Sequence, residues 1–165
     1  MNDDEARPES RGNGNGSGEG APDRQFVLEK IYVKDMSFEV PNAPAVYNED
    51  QSKTQVNMDL KNSHQRIDDD VYEVCLHVSL HATVGERTLF MIEIEQAGMF
   101  LVRGYADDEI RRLIAANCPA TLYPYCREAI SATIGRGGFP SILLQPINFD
   151  ALFARAEAER EPPQA

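Results

Sequence analysis

Residues 74–84 read VCLHVSLHATV, and every second residue from Val74 onward is apolar. Cysteine, histidine, serine and threonine occupy the positions between them. Because successive side chains of a β-strand point to opposite faces, this two-residue period predicts a strand with one face in a hydrophobic core. The segment is therefore expected to belong to a sheet that is covered on one side.

Three further strands are predicted around this one. Residues 25–40 alternate in the same way, with a phase slip between Leu28 and Ile31 that indicates a β-bulge. Residues 54–60 and 90–96 also alternate, and the polar stretch 60–70, LKNSHQRIDDD, is interpreted as a loop. Short connections between the strands predict an antiparallel sheet.

The second half of the chain has helical patterns. Residues 107–119 begin with three acidic residues and are expected to end before Pro119, whereas residues 122–138 end in a glycine cluster. In the last segment Asn148 is a suitable N-cap, and its apolar stripe consists of Phe149, Leu152, Phe153 and Ala156. Four strands followed by helices predict an α+β domain with the helices on one face of the sheet.

Both ends of the chain differ in composition from this domain. Residues 1–23 contain the stretch RGNGNGSGEG and few apolar side chains, so they are predicted to be a disordered tail. Residues 158–165 are predicted to be a second disordered tail, which leaves residues 24–157 as the folded domain. The net charge is −11, of which residues 1–23 carry −4. The domain itself is therefore acidic.

The charge and the cysteines restrict the classes of function. An acidic domain is unsuited to nucleic acid and to anionic membranes, and it favours basic partners. No apolar run approaches the length of a transmembrane helix, and the acidic N-terminus does not resemble a signal peptide. Three cysteines, an odd number, favour a reducing, cytoplasmic compartment.

The sequence gives only weak indications of a catalytic or metal-binding site. His77 and His81 lie on one strand face but roughly 13 Å apart, too far to share an ion. His64 and the acidic residues 68–70 could hold a divalent cation, although such acids more often lie in solvent. Cys126 has no histidine nearby in sequence to activate it. A metal-dependent enzyme that uses residues 64–70 stays open as an alternative of a different class.

Two surface features are more informative. Acidic residues share one predicted sheet face, with Met91 among them: Asp35, Glu39, Glu73, Glu93 and Glu95. The chain also has more apolar positions than one small core requires, and these include Val56, Met58, Leu60, Leu122 and Tyr123. Surplus apolar surface predicts oligomerisation and a binding groove for extended peptides, which we place on those five residues.

Five segments together resemble the SecB protein-export chaperone family. They are IYVKDMSFEVPNAP (31–44), DDVYEVCLHVSLHAT (69–83), NCPATLYPYCREAI (117–130), GRGGFP (135–140) and PINFDALF (146–153). The resemblance covers about residues 26–153. Two departures are visible: Gln51 stands where the family often has tryptophan, and the predicted loop 60–70 is about one residue longer than in the family pattern.

The resemblance implies a four-stranded antiparallel sheet with a long helix and a C-terminal helix packed on one face. It further implies a cytoplasmic homotetramer, a dimer of dimers, that uses no cofactor and is not an enzyme. Such a protein holds unfolded precursor proteins and delivers them to the SecA translocation ATPase. A relative that chaperones an antitoxin is the alternative of similar type.

The resemblance also implies roles for individual residues. Asp35, Glu39, Met91 and Glu93 match positions that bind the basic, zinc-containing C-terminal tail of SecA. Ile92, Ile94 and Gln96 match positions on which tetramer assembly depends.

Overall fold

The computed structural model describes residues 23–160. Its four strands are β1 (Gln25–Glu39), β2 (Gln55–Asp68), β3 (Val71–Val84) and β4 (Arg87–Arg103), and they form one antiparallel sheet in the order β1–β4–β3–β2. Three α-helices follow: α1 (Asp107–Arg112), α2 (Cys118–Arg136) and α3 (Phe149–Arg160). The predicted α+β fold is confirmed. Of the predicted tails, 1–23 and 158–165, residues 1–22 and 161–165 lie outside the described residues.

The prediction of a loop at residues 60–70 is wrong. Strand β2 continues to Asp68 and pairs with β3 along its whole length, for example Asn62 with Leu76 and Gln65 with Glu73. The connection to β3 is a tight turn in which Asp70 has a positive φ of 60°. Because β2 is an edge strand of the sheet, its polar side chains remain in solvent and the apolar alternation fades after Leu60.

Strand β1 contains two irregularities. The shift in pairing between Leu28 and Lys30 confirms the predicted bulge, and a second shift lies between Val33 and Asp35. Beyond the second shift, Met36 pairs with Ile94 on the helix side of the sheet, and Asp35 pairs with Glu95 on the opposite side. The second bulge therefore sets the face on which the acidic residues of β1 lie.

The two predicted helices 107–119 and 122–138 form one continuous helical run. A π-helical turn, Leu113–Asn117, joins α1 to α2, and the Cys118 amide donates to the Leu113 carbonyl. Pro119 does not end the run, since it lies in the first turn of α2 directly after the π-helical turn. This run is the long helix that the family resemblance implies.

Glycine and asparagine caps end α2 and begin α3. The Phe139 amide donates to the Ile134 carbonyl at 3.3 Å, and Gly138 has a φ of 82°, which confirms the predicted glycine C-cap. At the start of α3, the Ala151 amide donates to Asn148 Oδ1 at 2.9 Å, as predicted. Helix α3 extends to Arg160, three residues beyond the predicted domain boundary at 157.

The hydrophobic core lies between the sheet and the helices. The apolar positions of β3 and β4 that face the helices are buried, and side chains of the helical run cover them, among them Ile114, Leu122, Ile130 and Ile134. Gly98 in β4 allows this close approach, because a Cβ at that position would lie 2.9 Å from Leu122 Cδ2. Cys75, Cys118 and Cys126 are buried and unpaired. Across 23–160, no helix is long and apolar enough to cross a membrane.

Candidate functional site

The sheet face opposite the helices, here called the open face, carries the predicted acidic residues. Strand pairing places Asp35 beside Glu95, Ser37 beside Glu93, and Glu39 beside Met91. All four residues expected to bind the SecA tail therefore lie together on adjacent strands. Asp35, Glu39 and Glu93 are exposed, and Met91 is half-buried.

A shallow concavity of about 480 Å³ runs across this face. Four carboxylates line it, from Asp35, Asp59, Glu93 and Glu95, together with Lys61 and His77. Asp35, Glu39, Asp59, Glu93 and Glu95 are referred to below as the acidic patch. Among residues 23–160, no lysine, arginine or histidine nitrogen forms an ion pair with Asp35, Glu39, Asp59 or Glu93. The patch is thus negative and largely uncompensated.

Asp59 is a member of the patch that the sequence did not predict. It lies in β2 opposite Ser79 of β3, and strands β4 and β3 separate it from Asp35 of β1. Its neighbours Met58 and Leu60 point to the helix side. The alternation in residues 54–60 was itself the signal that could have placed Asp59 on the open face.

Glu73 was expected on the acidic face, and it lies on that face, but its carboxylate is not exposed with the others. Its side chain is buried and accepts three hydrogen bonds: from the Tyr32 hydroxyl, from Lys34 Nζ at 2.8 Å and from Gln65 Nε2 at 2.9 Å. The bonds from Lys34 and Tyr32 lower the pKa of Glu73 to about 2. Burial, together with the Glu73 carboxylate, raises the pKa of Tyr32 to about 12. The Glu73 carboxylate is therefore ionised, its charge is balanced by Lys34, and its role is structural.

This network predicts a specific loss of stability in acid. Because the pKa of Glu73 is about 2 in the folded chain against an ordinary value of 4.5, its carboxylate stabilises the fold above pH 4.5. The stabilisation is lost as the pH falls from 4.5 to about 2. When measured by urea unfolding over this pH range, the free energy of unfolding should fall by about 2 kcal/mol more in the wild type than in Glu73→Gln. Parallel pH profiles for the two proteins would contradict the assignment.

The histidines of the open face form local contacts. His77 Nε2 lies 3.1 Å from Ser63 Oγ and 3.8 Å from Glu95 Oε1, and His81 Nε2 lies 2.9 Å from Thr88 Oγ1. In the described part of the chain, no three histidine, cysteine, aspartate or glutamate side chains are arranged to hold a metal ion. His64 and Asp68 lie in strand β2 and not in a loop.

An apolar groove of about 610 Å³ lies on the helix side, between β2, α1 and α3. Its floor consists of apolar side chains: Leu60, Tyr72, Ile110, Ile114, Phe149, Leu152 and Phe153. Charged groups form its rim: Lys61, Asp107, Arg111, Glu157 and Arg160. The stripe of α3, which the sequence showed but did not assign to a site, supplies one wall of this apolar groove.

The residues predicted to form the client groove divide into two sets. Val56 and Met58 are 38% and 41% exposed on the helix side of β2, and Leu60 lies in the apolar groove. Leu122 and Tyr123 lie in the core instead, because α2 turns both side chains inward. Tyr123 stacks edge-on against Phe149 with ring centroids 5.8 Å apart, and its hydroxyl donates to the Gln145 carbonyl at 2.6 Å.

The predicted assembly residues are buried within the single chain. Ile92, Ile94 and Gln96 are 1%, 3% and 3% exposed. Gln96 Nε2 donates to the Tyr32 carbonyl at 3.0 Å, which ties β4 to β1. Their role in tetramer assembly stays a prediction, and any effect on assembly would act through the core of each chain.

The segment between β1 and β2 rests on the end of α2. The Tyr47 ring packs against Phe139 with centroids 5.3 Å apart, and its hydroxyl donates to the Gly137 carbonyl at 2.8 Å. Gln51, at the position where tryptophan is frequent in the family, borders a small hollow of about 150 Å³ beside Phe90 and Phe139.

The chain is thus an α+β protein with two separate candidate surfaces: an acidic patch on the open face of the sheet and an apolar groove beside the helices on the other side. Residues 19–160 match the family model described as preprotein translocase subunit SecB. The chain belongs to the SecB family, and the resemblance seen in the sequence is confirmed.

Curated relatives and a solved structure agree with this assignment. The protein-export protein SecB of Nitrosococcus oceani is 43% identical over 138 residues, covering 83% of this chain and 84% of the relative. That of Marinobacter nauticus is 47% identical over 132 residues, covering 80% and 79%. A Mycobacterium tuberculosis SecB-like chaperone, solved with a peptide from an antitoxin, has a TM-score of 0.63 at 16% identity and covers 74% of this chain and 90% of that chain. The similarity to this last structure shows that the two chains share a fold.

Proposed function

We propose that the protein is a cytoplasmic chaperone that keeps precursor proteins unfolded for export and delivers them to SecA. The observation that carries this proposal is membership of the SecB family combined with two surfaces on opposite sides of one sheet. The apolar groove supplies the client site and the acidic patch supplies the SecA site. The activity is binding without catalysis, and it requires no cofactor.

The apolar groove suits extended, unfolded segments. Its floor is built from aliphatic and aromatic side chains, and the row Val56, Met58 and Leu60 along β2 extends it. Methionine and aromatic side chains adapt to different partners at low cost, so a single surface accepts many sequences. Strand β2 is also an edge of the sheet, where backbone hydrogen bonds to an extended peptide would be independent of its sequence.

The acidic patch suits a basic, extended tail. Several carboxylates on the adjacent strands β1 and β4, together with Asp59 of β2, act together on a cationic partner, whereas a single exposed ion pair contributes only about 0–1 kcal/mol. The overall net charge of −11 adds long-range attraction and raises the rate of encounter. The relatives are protein-export proteins, which favours this partner over the antitoxin alternative.

Assembly into a homotetramer, a dimer of dimers, is part of the proposal. Support comes from apolar side chains that the single chain leaves exposed: Val33 at 48%, Met36 at 41%, Tyr125 at 51% and Leu143 at 76%. Exposed apolar side chains of this size commonly mark protein–protein contacts. Light scattering on the purified protein would measure the mass of the assembly directly.

Charge reversal at Glu93 tests the SecA site. Glu93→Lys replaces an exposed carboxylate in the middle of the patch by a cation, so binding of a zinc-loaded SecA tail peptide should weaken by about tenfold or more at low salt. Binding to the wild type should also weaken with added salt, since the screening length shortens to about 8 Å at physiological ionic strength. Calorimetry measures both effects.

The controls for this experiment are a client and the assembly. The Glu93→Lys protein should suppress aggregation of an unfolded precursor as well as the wild type does, and its mass should be unchanged. If it binds the tail peptide as tightly as the wild type at low salt, the acidic patch is not the SecA site.

A further inference from the structure

Lys34 occupies a distinctive place on the open face. The second bulge of β1 places it directly beside Asp35, and its Nζ lies 2.8 Å from Glu73 Oε1. Lys34 and Glu95 both line a hollow of about 230 Å³. The cation is therefore bound to one buried carboxylate and shares a hollow with Glu95, a member of the acidic patch.

Burial decides which carboxylate holds the cation. The Glu73 side chain is 11% exposed and that of Glu95 is 26% exposed, whereas Asp35 is an exposed residue. Attraction between opposite charges is stronger where water is excluded, and a buried carboxylate without a counter-ion is costly. Tyr32 and Gln65 hold Glu73 in place by donating to it. Lys34 therefore forms its ion pair with Glu73.

We propose that Glu73 is a positioning residue for SecA docking: by holding Lys34 it keeps this cation away from Asp35 and Glu95, and so keeps the acidic patch negative. This inference rests on the docking function proposed above. Removal of the Glu73 charge frees Lys34, whose side chain then reaches Glu95 across the hollow they share. The freed cation would then cancel one negative charge of the acidic patch, although none of the patch residues has been replaced.

The Glu73→Gln variant tests the inference by calorimetry with a zinc-loaded synthetic SecA tail peptide. Its affinity should be about fivefold lower than that of the wild type at low salt, with a weaker dependence on salt. The matched control is Glu159→Gln, which removes the same charge from an exposed position on α3, on the other side of the sheet. The control should bind within about twofold of the wild type.

Rescue by a second substitution separates the freed cation from structural damage. The double variant Glu73→Gln/Lys34→Met lacks both partners and has the net charge of the wild type, so its affinity should return to within about twofold of the wild-type value. A double variant as weak as Glu73→Gln would overturn the inference, because the loss would then come from distortion of the face. Equal binding by Glu73→Gln and the wild type would overturn it as well.

A measurement on the wild type covers the case in which Glu73→Gln does not fold. During titration with the peptide, NMR signals of the Asp35 and Glu95 carboxyl carbons should shift, whereas the Lys34 side-chain signals should stay in place. A shift of the Lys34 signals comparable to those of Asp35 and Glu95 would overturn the inference. If the wild type does not bind the peptide at all at low salt, the docking function itself fails, which is a different result.

Discussion

A chain in which Val56, Met58 and Leu60 are all replaced by alanine should no longer suppress the aggregation of an unfolded precursor. Val56 and Met58 are 38% and 41% exposed, and Leu60 lies in the apolar groove, so the substitutions remove contact surface and affect the core only at Leu60, which packs partly against it. Each lost side chain forfeits about 1–2 kcal/mol of apolar burial with a client, and the sum of about 3–6 kcal/mol for the three together amounts to about 10²–10⁴-fold in affinity. Light scattering of the client during dilution from denaturant measures the loss.

The same strand supplies the control. Gln55, Asn57 and Asp59 alternate with the groove residues and point to the open face. Their replacement by alanine should leave suppression of aggregation intact and should weaken binding of the SecA tail peptide, because Asp59 belongs to the acidic patch. If the first triple variant still suppresses aggregation at equal stoichiometry, clients bind elsewhere.

Ile94→Asp should destabilise the chain by more than about 4 kcal/mol. The side chain is 3% exposed on the helix side of β4, so the substitution buries a carboxylate without a partner. Urea unfolding followed by circular dichroism measures the effect, and light scattering should show loss of the assembly in parallel. The conservative Ile94→Val should cost only about 0.5–1.5 kcal/mol.

The two measurements also separate folding from assembly for Ile94. A variant that retains its secondary structure and its unfolding midpoint, but has a smaller mass, would show that Ile94 acts at an interface and not in the core. Unchanged stability together with an unchanged mass would contradict both the burial seen here and the predicted assembly role.

How readily each strand can be predicted from its sequence pattern depends on its position in the sheet. Strand β3 has a neighbour on either side and one face in the core, so its apolar residues alternate regularly and the strand was predicted. The second half of β2 lies at the edge, where pairing with β3 requires only backbone groups, and its polar sequence resembles a loop. Pro119 likewise looked like a helix end, because its position in the first turn of α2 depends on the π-helical turn before it.

Part of the site could be predicted and part could not. Two-residue alternation correctly placed Asp35 and Glu39 on one face of β1, because alternation depends only on position within an uninterrupted stretch of strand. That Glu93 of β4 shares this face follows from the register beyond the second bulge, which the sequence did not predict. The Glu73 network was not predictable in this way. It requires Tyr32 of β1 and Gln65 of β2 to reach one carboxylate of β3 across the sheet, and strand order and register are long-range properties.

The placement of the two surfaces on opposite sides of one sheet has a consequence for the order of events in delivery. Met58 and Leu60 lie on the side proposed for the client, whereas Asp59 between them lies on the side proposed for SecA. With the two sites placed in this way, a bound precursor would not obstruct SecA, and SecA would have no direct means of displacing it. The expected intermediate is a ternary complex of precursor, chaperone and SecA, and transfer then depends on the precursor's own dissociation and recapture rather than on competition for one site.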